Sequence, residues 1–289
     1  MAVIGGDKRE KILIKILSEK NYRINVLHDK NYREYNINYS SDLHKILTDV
    51  DVVIAPMRGA DENGILYSTF VNKNVILDKK FFDYFNKNML FIMGIIRDDI
   101  KFILEDKDIK YIELTALDEL AILNSIPTAE GVLQAAFKKS DLTIYGNKTL
   151  ITGLGRVGLS VSWRLKALGA EVFFATRSNK AAARGRDMGL KRISYNQLEK
   201  MINKFKFIIN TVPSLLFTKK LLKKVDENAV ILDLASSPGG VDFECAKELG
   251  VNAFLLPGLP GKIAPLTAAE FLADIIGEKL NEFRRGEKS

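Results

Sequence analysis

The chain has 289 residues, 47% of them hydrophobic and 27% charged, with 43 Lys and Arg against 36 Asp and Glu for a net charge of +7. At roughly 100–200 residues per domain that length predicts two domains, and the balance excludes a disordered or fibrous chain. One cysteine, Cys245, and two histidines, His28 and His44, exclude a disulfide framework and any Cys- or His-rich metal cluster, so a reducing cytoplasm and no metal are expected.

The opening MAVIGGDKRE carries an apolar run of three residues before Gly5. That is too short for a secretory signal. Nor does any stretch approach the roughly 18 apolar residues of a membrane span, so no membrane association is expected. The lysines are scattered or clustered as solvated helix faces (Lys219, Lys220, Lys223 and Lys224; Arg284 and Arg285). Without an aromatic-interleaved basic motif, nucleic acid is not an expected partner. A mild positive field suits a small anionic ligand instead.

In chain order, short apolar runs alternate with amphipathic stretches. AVIGG (2–6), RINVLH (23–28), DVVIAP (51–56) and NMLFIMG (88–94) predict buried strands bounded by turn residues. Residues 8–20 predict a helix, with Ile12, Ile16 and Leu17 at helical spacing, and 41–47 a shorter one. A helix is expected over 127–139, opened by Pro127, whose missing N–H costs nothing in a first turn. The alternation then restarts with strands KTLITGLG (148–155), EVFFATRS (171–178), KFIINTVP (206–213), AVILDLAS (229–236) and NAFLLPG (252–258). Helices are expected over 159–168, 242–249 and 267–283. Such alternation means βαβ units and parallel sheets. The expected fold is α/β: two Rossmann-like, doubly wound domains joined by a long helix, with a cleft between them. Residues 1–126 form the first domain and 127–266 the second, and 267–289 is expected to pack back on the first.

Gly153, Leu154, Gly155, Arg156, Val157 and Gly158 spell G-x-G-x-x-G at the end of an apolar strand and the start of a helix. In that setting the hexapeptide signals a dinucleotide site. Gly153 makes the tight turn, Gly155 lets a pyrophosphate reach the backbone, and Gly158 lets helix and strand pack closely. The phosphates lie on a helix N-terminus, whose N–H groups and dipole favour anions. The second strand ends in Thr176, Arg177 and Ser178, with no carboxylate for a ribose 2′-hydroxyl. An arginine there can hold a 2′-phosphate, which favours NADP over NAD, the other possible cofactor. The competing reading of Arg177 is a solvent-exposed arginine after a strand. Thr211, Val212 and Pro213, with the loop 235–240 that begins at Ala235, follow two further strands and are expected beside the nicotinamide half.

In the first domain, DVVIAP runs into a polar loop with Arg58, Gly59, Asp61, Glu62 and Gly64. Arg58 is expected to bind an anion there, and Asp61 or Glu62 to serve as a general base. A polar surface turn is the competing reading. Asn124, Ser125 and Thr128 either line the substrate cleft or open a helix, with Ser125 as its cap and Thr128 and Glu130 in the first turn. Lys262, at the end of PGLPGK (257–262), is expected to close the cleft from the other side. His28 and His44 read as exposed or satisfied polar residues, and Cys245 as a small core residue.

These stretches together resemble the dipicolinate synthase A-subunit family. The resemblance rests on Gly5-Gly6-Asp7, Pro56-Met57-Arg58-Gly59, the N-S-I-P-T-A-E-G run at 124–131, the glycine turn at 153–158 and L-P-G-L-P-G at 256–261. Where the family pattern carries a lysine this chain has Leu266, and Lys262 is the nearest basic residue. The resemblance implies an oxidoreductase that uses NAD(P) to convert a dihydrodipicolinate-type ring, or its hydrated tetrahydro precursor, to dipicolinate. It also implies endospore formation, the mother-cell cytoplasm, a small dicarboxylate substrate and the B subunit of dipicolinate synthase as partner. A homo-oligomer is a further expectation. Two other readings stay open on the residues alone. One is another two-domain dehydrogenase, of the 2-hydroxy acid or alanine type, and the other a non-catalytic protein that senses NADP.

Overall fold

The structure, a computed structural model, describes residues 1–30, 32–236 and 239–286. It divides into two compact units, Met1–Leu123 with Ala264–Ser289, and Asn124–Ile263.

The first unit begins β1 (Ala2–Val3), α1 (Lys8–Glu19), β2 (Ile24–Leu27), β3 (Tyr32–Glu34), β4 (Ile37–Ser40), α2 (Leu43–Leu47) and β5 (Val52–Ile54). It continues with β6 (Leu90–Met93), α3 (Asp98–Asp106) and β7 (Lys110–Glu113). Its sheet runs β3-β4-β2-β1-β5-β6-β7, parallel except for the β3/β4 hairpin. Both faces are buried, as parallel sheets require. Val52 and Ile54 of β5 join a core with Leu13, Ile14 and Leu17 of α1, while Val53 faces a second core with Ile46 of α2 and Leu104 of α3.

Helix α4 (Asp118–Lys139) crosses the boundary at Leu123 and Asn124. The second unit follows with β8 (Lys148–Thr152), α5 (Arg156–Ala167), β9 (Glu171–Ala175), α6 (Asn179–Asp187), β10 (Lys191–Arg192) and α7 (Tyr195–Met201). After these come β11 (Phe207–Asn210), α8 (Lys219–Leu222), β12 (Val230–Asp233), α9 (Phe243–Glu248), β13 (Asn252–Leu255) and α10 (Leu259–Ile263). The sheet order is β10-β9-β8-β11-β12-β13, all parallel. That is the doubly wound order of a dinucleotide fold, 3-2-1-4-5-6. Apart from β3, the first unit repeats it. The last helix, α11 (Pro265–Arg285), returns to the first unit and buries Leu272, Ile276 and Leu280 in the core beside α1.

One expectation about α4 fails. Pro127 lies inside the helix, nine residues past its start at Asp118, and Ser125 is mid-helix rather than a cap. An interior proline removes one backbone bond. The bond lost is the one to the Leu123 carbonyl; one residue on, the Thr128 hydroxyl donates to the Asn124 carbonyl at 2.7 Å. The acids Asp118 and Glu119, favoured in a first turn, mark the true start.

Candidate dinucleotide-binding site

Each glycine of the 153–158 turn has a different surrounding. Gly153 has φ +83°, and a Cβ there would lie 2.3 Å from Thr211 Oγ1. A Cβ on Gly158 would lie 2.2 Å from the Gly153 carbonyl oxygen. Packing therefore forbids side chains at both. Gly155 is different. Its φ of −84° suits any residue, and a Cβ would meet nothing within 4 Å. Among the described residues nothing requires glycine at 155, which leaves the backbone open to a group from outside. Gly155 precedes α5, and no side chain caps that helix. An uncapped N-terminus beside open space is a cradle for a phosphate. Leu154 is buried, Arg156 is exposed and Val157 is half-buried.

At the end of β9, Arg177 is exposed and its guanidinium lies over the Tyr195 ring at 5.7 Å. Thr176 Oγ1 accepts from the Ser178 N–H, and Ser178 Oγ caps α6 by accepting from the Ala181 N–H. Both hydroxyls thus shape the turn that presents Arg177. Burial holds the Tyr195 phenol above its ordinary range against the nearby Arg177 charge, so it stays a neutral donor to the Ala175 carbonyl.

The loops after β11 and β12 rest on a buried polar row. Thr152, Asn210 and Asp233 end β8, β11 and β12, stand side by side in register, and are fully buried. Thr152 Oγ1 donates to Asn210 Oδ1 at 2.6 Å, and Asn210 Nδ2 donates to Asp233 Oδ1 at 2.8 Å. Thr211 and Val212 are half-buried, Pro213 is exposed and Ala235 is buried. Ser237 and Pro238, also in the expected nicotinamide loop, lie outside the described residues. Sequence reasoning passed over this row. Its signal was present, since FIIN and VILD are apolar runs ending in a lone polar residue.

In the first unit, Arg58 is exposed and stacks on the Tyr67 ring at 4.4 Å. Backbone packing fixes its turn. Gly59 has φ +77°, and a Cβ on Gly94 would fall 1.9 Å from the Met57 carbonyl oxygen. Asp61 Oδ1 accepts from the N–H groups of Asn63 and Ile65, both at 2.9 Å, and its carbonyl accepts from Arg97. That is a turn-forming aspartate. Glu62 beside it is exposed. Ser125 is buried, with its carbonyl accepting from Ser160 Oγ at 3.0 Å; Asn124 and Thr128 are half-buried, and Lys262 is exposed on α10. A cavity of about 560 Å³ lies elsewhere, at the amino ends of β5 and β6, lined by His44, Asp49, Tyr84 and Asn86 among others. Ligands of such sheets bind at the opposite, carboxyl ends.

Known proteins are similar to this chain over nearly its whole length. Residues 1–115 match the family model of the N-terminal domain of the dipicolinate synthase A subunit. Residues 123–237 match that of the D-isomer specific 2-hydroxyacid dehydrogenase NAD-binding domain. The A subunit of Bacillus subtilis dipicolinate synthase is 33% identical, over 99% of this chain and 97% of that protein. This chain belongs to the dipicolinate synthase A-subunit family. The crystal structure of the Bacillus halodurans A subunit superposes with a TM-score of 0.90 at 32% identity, covering 96% of each chain. That of the B. subtilis protein gives 0.90 at 33%, covering 99% of this chain and 97% of the other.

As a member of the dipicolinate synthase A-subunit family, the chain carries a dehydrogenase-type domain for a nicotinamide dinucleotide. The open cradle at Gly155 fits that ligand. No helix among the described residues is long and apolar enough to cross a membrane, and no cluster of His, Cys, Asp or Glu there could hold a metal ion.

Proposed function

We propose that the chain is the dinucleotide-dependent oxidising component of a dipicolinate synthase, with NADP preferred. The observation that carries the reading is Gly155, a glycine demanded by no contact among the described residues and placed at the uncapped start of α5. The relatives named as dipicolinate synthase A subunits supply the substrate class. That designation supports a partner, the B subunit, and an endospore-forming cell.

The 153–158 turn receives the pyrophosphate, with Arg177, Thr176 and Ser178 at the 2′-phosphate. Thr211, Val212, Pro213 and Ala235 border the nicotinamide half, and a bound nicotinamide supplies the hydride acceptor. Arg58, held over the Tyr67 ring, has a planar fork that matches a carboxylate of the substrate. The ring must also lose a proton as it becomes aromatic, plus a water if it enters hydrated. A positioned base is worth about 10²–10⁴-fold in rate. Glu62 is the first candidate, since Asp61 is committed to its turn. Both histidines lie within residues 1–123, and none lies in the dinucleotide unit to act as the acid–base of a 2-hydroxy acid dehydrogenase.

The purified chain, alone and with its B subunit, is incubated with the tetrahydro precursor and NADP. Reduced cofactor and dipicolinate should rise together, one for one, followed by their absorbances. Dipicolinate formed without any reduced cofactor would sink the reading.

A further inference from the structure

Resting on the dinucleotide reading, we propose that Asp233 is a positioning residue that sets the nicotinamide-side turns without touching the ligand. Its carboxylate has no exposure, and its partners are neutral donors. Oδ1 accepts from Asn210 Nδ2 at 2.8 Å and from the Ala235 N–H at 3.0 Å, and Oδ2 accepts from the Gly240 N–H at 2.8 Å. Asn210 passes the constraint to the neighbouring turn, its Nδ2 donating to the Val212 carbonyl at 3.0 Å and its Oδ1 accepting from the Val212 N–H at 3.1 Å. One buried carboxylate thus ties both turns to the strand ends.

A buried ionised group is costly unless hydrogen bonds satisfy it, and apolar residues of similar size often serve stability as well or better. Apart from this row, Thr149 of β8 and Ser40 of β4, the buried strand residues of both sheets are apolar. The row has no slack either, since a Cβ on Gly240 would fall 2.2 Å from Asn210 Nδ2. What the carboxylate adds over an apolar residue is direction. It points two specific N–H groups, at Ala235 and Gly240, and through Asn210 orients Val212. Preorganised geometry of this kind is what a dehydrogenase needs around the reacting ring. The phosphate turn at 153–158 and Arg177 are outside the carboxylate's own bonds.

Asp233→Asn in the full-length protein keeps the shape but replaces one acceptor oxygen with a donor, which must then face an N–H. Two affinities are compared with wild type by titration: for the dinucleotide that wild type prefers, and for its adenine half alone (adenosine 2′,5′-bisphosphate for NADP, AMP for NAD). The dinucleotide should weaken about tenfold, roughly 1.4 kcal/mol, while the adenine half stays within about twofold. Thr152→Val, which removes only the hydroxyl donor to Asn210, should show the same split at smaller size, and it decides the matter if Asp233→Asn does not fold. Equal weakening of both ligands would make Asp233 a general support of the fold, and no weakening of either would remove any role; each overturns the proposal. Wild-type protein that binds neither ligand would instead overturn the dinucleotide reading on which it rests.

Discussion

The two units carry the same turn at the same place and use it in opposite ways. Gly5-Gly6-Asp7 follows the central strand β1, as Gly153 to Gly155 follows the central strand β8, and each leads into the first helix of its sheet. At α5 the turn is open: no side chain caps the helix and Gly155 faces empty space. At α1 it is shut. Asp7 caps the helix and pairs with Arg9, and Glu10 reaches back so that its Oε2 accepts from the Asp7 N–H at 2.7 Å. Its Oε1 accepts from the Met57 N–H at 2.8 Å, and a Cβ on Gly6 would lie 2.5 Å from the Glu10 side chain. The negative group that a helix start favours is thus supplied by the chain itself in one unit, while in the other the place for it is left open. A glycine turn is a site only where the protein has not filled it.

Gly155→Val tests the open turn most severely. Its side chain would take the space of the pyrophosphate, so dinucleotide affinity should fall at least about 100-fold, some 2.7 kcal/mol, with an unchanged circular dichroism spectrum and unfolding midpoint. Unimpaired binding by a folded variant would erase the contrast between the turns. Next in size, Arg177→Ala removes a charged partner typically worth about 1.5–3 kcal/mol, so NADP should weaken roughly 10- to 150-fold while NAD changes little. Equal losses for both would show that Arg177 does not read the 2′-phosphate.

The shut turn should respond in stability and not in cofactor affinity. Glu10→Ala strands two N–H donors, at Asp7 and Met57, and should cost about 1–3 kcal/mol in denaturant unfolding. A cost below a few tenths would mean the plug is ornamental. Its pH dependence sharpens the point. Burial holds the Glu10 carboxyl above its ordinary range despite Arg9 and the two N–H groups. The folded chain then binds that proton more tightly than the unfolded one. Glu10's contribution is therefore fully present below the ordinary carboxyl value and lost as pH rises through the raised one. Against Glu10→Gln, wild type should lose ground as pH climbs above an ordinary carboxyl value of about 4.3; a constant gap would contradict this. Asp7 runs the other way, held low by Arg9 against its own burial, so its share fades as pH falls through the lowered value. The smallest effect is expected for Arg58→Lys, which keeps charge but loses the fork. KM for the precursor should rise, or turnover fall, about tenfold, near 1.4 kcal/mol, with NADP affinity untouched. Unaltered kinetics would return Arg58 to a surface turn.

What could be read from the residues follows from what each signal encodes. Apolar runs such as DVVIAP and KFIINTVP announce buried parallel strands because both faces need side chains, and the glycine fingerprint announces its turn because contact distances leave no choice. The β3/β4 hairpin was not legible, since YRE and INYS are short and polar and owe their place to pairing with each other and with β2. Pro127 misled for a physical reason: the rule about first turns does not say that the nine residues before it, from Asp118, are already helical. The role of Glu10 and the partners of Asp233 were not legible for another. Whether a carboxylate is solvated or buried among N–H groups is decided by residues distant in sequence, Met57 and Asn210 among them.

The return of α11 to the first unit has a consequence for the order in which the protein can be completed. Domains generally fold as they leave the ribosome, the N-terminal one first. Here the first unit is missing Leu272, Ile275, Ile276 and Leu280 until residues 264–289 are made. Each such side chain contributes about 1.5–3 kcal/mol on burial. The unit at 124–263, uninterrupted in sequence, is whole before the unit that precedes it. The nascent chain therefore holds an exposed apolar groove beside α1 while the dinucleotide unit emerges, and only α11 covers it. Chains cut short anywhere in α11 leave that groove uncovered and are marked for aggregation or proteolysis, even with every residue of the dinucleotide turn in place.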